Sequence, residues 1–201
     1  MPRGQNRSSK RGIELSVPIE LRTKFGKLEA RHFLSAESSG VVILKRVQGS
    51  RRFFVRPQSS CVFSEAFGAN DCDCVRQLQA SLSLIGRHGG CCIYEFAEAR
   101  GMGLRFKFEV LAYARRNQVD TAKAFDALGA QRDPRTFATA VAICRELDIP
   151  QRICVGSDNP KKLNAFKLAG YDATRRVLKI RQNSNIRQFR KEMQRELGHF
   201  A

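Results

Sequence analysis

The chain lacks several features that mark specialised classes of protein. No apolar run approaches the ~20 residues needed to cross a bilayer, so no membrane partner is expected. The basic start is not followed by an apolar segment, so a secretory signal is not expected. Its seven cysteines are odd in number, which argues against a disulfide framework and favours a reducing, cytoplasmic setting. Internal repeats and low-complexity linkers are also absent, so one domain is predicted over residues 12–201.

Acidic residues are scarce, with 19 against 36 basic residues and a net charge of +17. Such an excess favours an anionic partner. Residues 1–11 hold four basic groups and no acid, and are predicted to form a disordered arm. Residues 175–191 hold seven basic groups and no acid. Both ends could bind nucleic-acid backbones, but they lack the interleaved aromatics of single-strand binders, so nucleic acid is not the favoured partner.

The apolar periodicity changes along the chain. Strand-like runs at 13–21, 27–33, 40–47 and 51–55 predict a β-meander or barrel. Further on, helices are predicted at 76–87, from the 98–103 turn to about 117, and at 121–129, 136–147, 160–170 and about 185–197. Strands are predicted between them at 92–96, 152–155 and near 175–180. The predicted fold class is therefore α+β, with a mixed sheet in a β-rich N-terminal half and several helices in the C-terminal half.

Three cysteines form the densest chemical signal. Ten residues separate Cys61 from Cys72, and Cys74 completes a Cys-Asp-Cys. Thiolates are ligands that zinc favours, and a catalytic zinc takes three protein ligands and leaves one position open. No histidine lies nearby to close the site, which suits that arrangement. By themselves the cysteines are equally compatible with small buried hydrophobic residues.

Three further stretches could bind anions or carry chemistry. The glycine-marked turn 98–103 lies between a strand and a helix, where free backbone amides bind anions. Asp133-Pro134-Arg135 joins two helices, and 157–162 ends a strand and opens a helix with two lysines. Each has a plainer alternative: an ordinary turn, a surface ion pair and a solvated lysine pair.

Taken in order, these stretches resemble the sequence blocks of the GTP cyclohydrolase II family. Residues 59–78 resemble its zinc-binding segment, in which Cys-Asp-Cys follows the first cysteine by ten residues. Residues 98–104 resemble its Glu-Gly-Arg-Gly-Ile-Gly-Leu block, with Ala99 at the first glycine, and 157–162 resemble its Thr-Asn-Asn-Pro-Lys-Lys. Shorter matches are Asp120-Thr121, Leu128-Gly129, Asp133-Pro134-Arg135 and Glu196-Leu197-Gly198-His199.

The resemblance implies a zinc-dependent hydrolase that opens the imidazole ring of GTP, releases formate and pyrophosphate, and leaves a diamino-pyrimidinone ribosylamine phosphate. It implies one Zn²⁺ per chain on Cys61, Cys72 and Cys74, Mg²⁺ bound with the nucleotide, and a homodimer. Asp133 and Arg135 take the catalytic positions, Arg135 as a nucleophile at the α-phosphorus or, more consistent with a permanently protonated guanidinium, as a charge stabiliser. The implied nucleotide-binding residues are Arg56, Ser59, Ser60, Gln77, Glu98, Arg100, Thr121, Ser157 and Lys162.

Several positions depart from the family pattern. Ser60 stands where the family has a glutamate, and Glu65 ends a segment that reads Cys-Leu-Thr-Gly-Asp in the family. The family's functional tyrosine aligns without a gap with Leu111, and Tyr113 lies two residues further on. Two alternatives therefore stay open: a divergent enzyme with an altered substrate or a formylated ring-opened product, and a non-catalytic, zinc-stabilised protein that binds nucleotide or nucleic acid.

Overall fold

The structure is a computed structural model that describes residues 12–47, 49 and 51–200. Its strands are β1 (Glu14–Leu15), β2 (Ile19–Thr23), β3 (Gly26–Leu34), β4 (Ser39–Lys45), β5 (Phe53–Ser59), β6 (Gly90–Glu95), β7 (Arg152–Val155) and β8 (Asp172–Arg175). Its helices are α1 (Val62–Glu65), α2 (Cys74–His88), α3 (Gly103–Asn117), α4 (Thr121–Ala127), α5 (Ala138–Glu146), α6 (Pro160–Leu168) and α7 (Ser184–Leu197), and Glu98–Gly101 forms a 3₁₀ turn. The arm predicted at 1–11 lies outside the described residues, and the single domain over 12–201 stays a prediction.

The eight strands form one mixed sheet in the order β1-β3-β4-β6-β5-β7-β8, with β2 also paired to β3. Strands β2, β3 and β4 form an antiparallel meander, whereas β5 runs parallel to both β6 and β7. The predicted meander is confirmed, and the barrel alternative is wrong because the sheet is open at β8. The α+β fold with a mixed sheet is also confirmed.

Both faces of β5 and β6 are buried, which explains the apolar stretches at 53–55 and 91–93 within them. Helices α5 and α6 pack on one face through residues such as Ile143 and Phe166. Helix α2 packs on the other face through Ile85. Adjacent residues of one strand point to opposite faces. Cys91 therefore lies in the first cluster and Cys92 in the second.

Several predicted elements have different bounds in the structure, and for two of them the physical reason is visible. The strand expected near 175–180 is wrong, because the strand is β8, where Asp172 to Arg175 pair in parallel with Arg152 to Val155. Residues after it leave the sheet, and Leu178 covers the apolar cluster on the α2 face. Helix α5 begins at Ala138 rather than at 136, because Phe137 has a left-handed backbone (φ 60°) and ends the preceding loop.

All seven cysteines are free thiols, as the argument against a disulfide framework predicted. Four of them are buried, and three of those four (Cys91, Cys92 and Cys144) lie in the apolar clusters, so they act as small hydrophobic residues. Within the described part of the chain, no helix combines the length and the apolarity that a membrane crossing requires.

Candidate active site

The candidate site lies where three parallel strands end. The carboxyl ends of β5, β6 and β7 meet at one edge of the sheet, which is where ligands bind in parallel α/β arrangements. Past these ends follow Cys61, Glu98 and Ser157, respectively. A cavity of about 970 Å³ opens there. All but one of the residues predicted for the site line it, namely Arg56, Ser59, Ser60, Cys61, Cys72, Cys74, Gln77, Glu98, Arg100, Thr121, Arg135, Ser157 and Lys162. The exception is Asp133, which contacts Arg135.

The three predicted zinc ligands converge at one end of this cavity. The sulfur atoms of Cys61, Cys72 and Cys74 all lie within 4.8 Å of one another, and those of Cys61 and Cys72 are 3.7 Å apart. Hydrogen bonds from Cys72 and Cys74 lower the pKa of the Cys61 thiol to about 2, while the bond to Cys61 raises the pKa of Cys72 to about 11. Three thiols in one small cluster are a donor set that fits zinc.

Lys107 and Glu98 flank the cysteine cluster. The Lys107 ammonium donates to the Cys61 sulfur at 3.3 Å and to the Glu98 carboxylate at 2.8 Å. Burial lowers the pKa of Lys107, but the hydrogen bond to Glu98 and the charge of Cys61 outweigh it and raise that pKa. The other Glu98 oxygen accepts from the Val62 amide. No sequence pattern singled out Lys107, because it is one cation on a helix that carries several.

A left-handed turn places Arg100 in the cavity. Ala99 (φ 48°) and Arg100 (φ 59°) both adopt the left-handed region, as do Gly101 and Gly103. This geometry suits glycine but strains residues with a Cβ. The Arg100 guanidinium stacks on the Phe125 ring at 4.6 Å, and burial lowers its pKa to about 10. Strain kept in this turn is typical of a functional loop.

Replacing Ala99 with glycine is expected to stabilise the chain by about 0.5–1 kcal/mol, because glycine adopts the left-handed backbone without steric cost. Urea unfolding measures the change as a higher midpoint with an unchanged slope. Ala112, exposed on α3, is the matched control, and its change to glycine should destabilise by about 1 kcal/mol. Equal effects of the two substitutions would contradict the strain at Ala99.

Two buried cations also line the cavity. Arg56 donates to Gln58 and to the Gly156 carbonyl, and Lys162 donates to the Pro57 carbonyl at 2.7 Å. Among the described residues, neither cation forms an ion pair. Burial lowers the pKa of both groups, and that of Lys162 falls well below its ordinary value. Buried charges without a counter-charge cost free energy, so an anionic ligand would stabilise the charged forms of Arg56 and Lys162.

Arg135 and Asp133 form a two-pronged ion pair beside these cations. Both bonds from the Arg135 guanidinium to the Asp133 carboxylate are 2.7 Å long, and a third guanidinium nitrogen donates to the Ser59 hydroxyl at 3.0 Å. The Asn159 amide also donates to Asp133. Burial raises the pKa of Asp133, but the hydrogen bond and charge of Arg135 outweigh it and hold the pKa low. The pair is therefore ionised and fixed in orientation.

The remaining predicted residues differ in whether their polar groups have hydrogen-bond partners within the protein. The Thr121 hydroxyl is buried and has no hydrogen-bond partner among the described residues, which leaves it free for a ligand. The Ser157 hydroxyl accepts from the Asn159 amide. Ser60 donates its backbone amide to the Glu95 carbonyl, and Gln77 lies in the first turn of α2.

Comparison with known proteins gives the relationship of the chain. The sequence profile described as GTP cyclohydrolase II matches residues 14–178, which is most of the chain. The chain belongs to the GTP cyclohydrolase II family. The chain is 31% identical over 166 residues to the riboflavin biosynthesis protein RibBA of Staphylococcus aureus (strain COL), covering 82% of this chain and 42% of that protein. It is 30% identical over 198 residues to RibBA of Endomicrobium trichonymphae, covering 96% and 49%.

The chain spans about half the length of the curated relatives it matches. Among solved structures, RibBX, described as a two domain 3,4-dihydroxy-2-butanone 4-phosphate synthase from A. baumannii, matches with a TM-score of 0.45 and 13% identity. That match covers 84% of this chain and 40% of RibBX. So weak a likeness supports no functional statement.

The structure distinguishes Leu111 from Tyr113, the two candidates for the tyrosine position of the GTP cyclohydrolase II family. Residues two apart on a helix point to nearly opposite sides. Leu111 lines the cavity, whereas Tyr113 packs on the cluster between α3 and α4 with Phe125. Among the residues that the structure describes, no tyrosine lines the cavity. Leu111 therefore presents an apolar side chain to the cavity.

The loop between the cysteines, which also departs from the family, is held by Glu65. Its carboxylate accepts from the Cys61 amide at 3.2 Å, the Gln58 amide at 2.9 Å and the Tyr94 hydroxyl. Burial raises the pKa of Glu65. The Ser64 hydroxyl accepts from the Val75 amide and so ties the loop to α2. Neither Ser64 nor Glu65 lines the cavity, and the bond from the Cys61 amide fixes the backbone of that cysteine.

Arg190 is a further residue that sequence reasoning missed. Its guanidinium bridges the Asp73 carboxylate of the Cys-Asp-Cys at 3.0 Å and the Asp158 carboxylate at 2.6 Å. Arg175 also pairs with Asp158, at 2.7 Å. Two cations of the acid-free run 175–191, for which nucleic-acid binding was considered, therefore pair with carboxylates of the chain itself. Through Arg190, helix α7 thereby joins the Cys-Asp-Cys segment to the loop after β7.

Proposed function

We propose that this chain is a zinc-dependent hydrolase that opens the imidazole ring of a guanine nucleotide and releases formate and pyrophosphate, as a step of riboflavin biosynthesis. The supporting observation is that three clustered thiols and the buried cations Arg56 and Lys162, which form no ion pair among the described residues, line the same cavity. A metal site and a polyphosphate site within one cavity suit a reaction on both the base and the phosphates of a nucleotide.

Cys61, Cys72 and Cys74 would hold zinc, one ion per chain. When bound, zinc supplies Lewis-acid chemistry and activates water near neutral pH. The Lys107 ammonium, 3.3 Å from the Cys61 sulfur, offsets the negative charge that three thiolates concentrate. The Glu98 carboxylate fixes Lys107 and the Val62 amide, so the cluster is oriented from both sides.

The cations bind and orient the phosphates. Arg56, Lys162 and Arg100 line the cavity, and their positive charges would neutralise a triphosphate. Arg135 would stabilise the charge that develops at the α-phosphate as pyrophosphate departs. The geometry favours this role over nucleophilic attack, because the guanidinium stays protonated beside an ionised Asp133. Asp133 holds the orientation of Arg135.

Magnesium would enter with the nucleotide. Ser60 occupies the position of a family glutamate, so this chain offers no carboxylate there. Mg²⁺ commonly binds through substrate phosphates and water with few protein ligands. We therefore expect Mg²⁺ to be carried by the triphosphate and turnover to require it.

Turnover of GTP by the zinc-loaded chain tests the proposal. The chain is incubated with GTP and Mg²⁺, and formate, pyrophosphate and the absorbance of the pyrimidine product are followed together. Equal amounts of formate and pyrophosphate are expected. If a chain with one zinc bound makes no ring-opened product from any guanine nucleotide, it is not this hydrolase, and the non-catalytic nucleotide-binding alternative remains.

Leu111 favours a second candidate, ring opening that retains the formyl group. Leu111 has no hydroxyl, so the cavity lacks the polar group that a tyrosine at this position would supply for complete deformylation. The expected result is then less formate than pyrophosphate. In that case Leu111→Tyr should raise the formate to pyrophosphate ratio towards one, by at least about tenfold if the hydroxyl acts as a general acid or base.

Mass spectrometry of the pyrimidine product distinguishes the formylated from the deformylated form and so checks this ratio independently. Tyr113→Phe is the control, because that side chain faces away from the cavity and its loss should leave the products unchanged. Equal formate and pyrophosphate from the unmodified chain would rule out the altered product.

Assembly as a homodimer is part of the same proposal. Exposed apolar side chains on and beside α3, including Phe96, Leu104 and Phe108, provide a surface that a second copy could cover. Analytical ultracentrifugation should give twice the 22.7 kDa chain mass. A monomer at all concentrations would contradict this part alone.

A further inference from the structure

The C-terminal segment folds back onto the cavity. After α7, the His199 amide donates to the Met193 carbonyl at 3.2 Å, and the Phe200 amide donates to the Asp158 carbonyl at 2.8 Å. The Phe200 ring lies under the Arg175 guanidinium at 4.7 Å. These contacts fix the segment against the loop that carries Ser157. His199 therefore has a defined position in the cavity wall.

The His199 imidazole is the unexplained group in this wall. It lines the cavity, and its Nε2 atom is buried with no hydrogen-bond partner among the described residues. A buried polar atom without a partner costs free energy unless a ligand or water satisfies it. The nucleotide-binding residues assigned so far do not include His199.

The charges that face the imidazole come from three parts of the fold. Lys162 of α6, Arg135 before α5 and Arg100 of the 3₁₀ turn are cations, and Asp133 is the opposing carboxylate. On the preceding helix α7, Arg195 pairs with Glu196 and with Asp120. Burial, followed by the charges of Lys162, Arg135 and Arg100, lowers the pKa of His199 to about 4. In the free chain the imidazole is therefore neutral.

We propose that His199 is a further polyphosphate-binding residue, whose Nε2 donates a hydrogen bond to an anionic phosphate oxygen and whose ring takes up a proton when the phosphate binds. An anion among Lys162, Arg135 and Arg100 cancels the positive potential that keeps the ring neutral. The same anion gives the unpartnered nitrogen an acceptor. The proposal rests on the proposed function only for the identity of the ligand.

The direction of the pH dependence follows from this coupling. The pKa of His199 is about 4 in the free chain and higher in the complex, so binding takes up a proton. The contribution of His199 to binding is therefore full below the free pKa and is lost as pH rises through the bound pKa. Polyphosphate affinity attributable to this residue should grow as pH falls from 8 to 6.

Histidine NMR on the zinc-loaded full chain tests the proposal with inorganic tripolyphosphate as the probe. The chain has three histidines, and His32 and His88 are exposed and serve as internal references. Without tripolyphosphate, the His199 ring signals should stay unchanged between pH 5 and 8. At saturating tripolyphosphate their midpoint should rise by about two to three pH units, to 6 or above, at the upper part of the range that an opposite charge produces. The His32 and His88 midpoints should not move.

His199→Gln gives the second measurement and assigns the signals. Tripolyphosphate should bind this variant about tenfold more weakly than the unmodified chain at pH 6, with a smaller difference at pH 8. His88→Gln, at the exposed end of α2, should bind as the unmodified chain does. An unchanged His199 titration, equal affinities at both pH values, or no tripolyphosphate binding would each overturn the proposal.

The proposal and the proposed function fail in different ways. If the His199 midpoint rises as expected but GTP yields no ring-opened product, the phosphate site stands and the hydrolase assignment is wrong. If the imidazole ring of GTP is opened but tripolyphosphate does not change the His199 midpoint, the hydrolase assignment is retained and the role proposed for His199 is wrong.

Discussion

Cys72→Ser is expected to abolish stoichiometric zinc binding and to lower turnover of guanine nucleotide by at least about a hundredfold. Changes to outer partners of a metal site already cost 10–100-fold, and a lost ligand should cost more. The Cys72 sulfur lies 3.7 Å from that of Cys61, and the cluster offers three thiols, so serine leaves too few soft donors. Metal content by mass spectrometry measures the first effect independently of turnover.

Cys154→Ser is the matched control for that experiment. Cys154 is a half-buried free thiol like Cys72, but it packs against the apolar cluster on the α2 face. We expect this variant to keep its zinc and its turnover. If Cys72→Ser retained both full zinc content and full turnover, the metal assignment would be wrong whatever the chain catalyses.

Arg135→Lys is expected to lower the turnover number by about 10²–10³-fold, the usual cost of removing a positioned donor that stabilises developing charge. Lysine keeps the positive charge beside Asp133 but cannot form the two parallel bonds of 2.7 Å. A single ammonium group also cannot donate to the Ser59 hydroxyl while it keeps both bonds to Asp133. Zinc content should not change, because Arg135 bonds to Asp133 and Ser59 and not to the cysteine sulfurs.

Steady-state kinetics and urea unfolding together separate catalysis from stability for this variant. Arg132→Lys is the control, since Arg132 also pairs with carboxylates, Asp126 and Glu196, but lies outside the cavity lining. It should leave turnover nearly unchanged. An Arg135→Lys chain that is less stable yet turns over normally would assign the ion pair to the fold rather than to the reaction.

Much of the site could be predicted from the sequence because its blocks are local. Cys72 and Cys74 are two residues apart, and Asp133 and Arg135 form an ion pair within one loop. The strands before Cys61, Glu98 and Ser157 were also recognisable from their apolar runs, so their meeting at one sheet edge follows from parallel pairing. The strand expected near 175–180 was wrong because its true register depends on pairing with β7, which no local pattern encodes.

By itself the sequence determined the α+β class, the three thiols and the order of the site blocks, since residue type and local spacing encode all of these. The tertiary structure decided the rest. Helix phase places Leu111 in the cavity and Tyr113 outside it. Arg190 reaches Asp73 across 117 positions of the chain, and the imidazole of His199 comes to lie among cations from three other segments. Burial and charge pairing depend on contacts between distant parts of the chain, and only the folded molecule contains them.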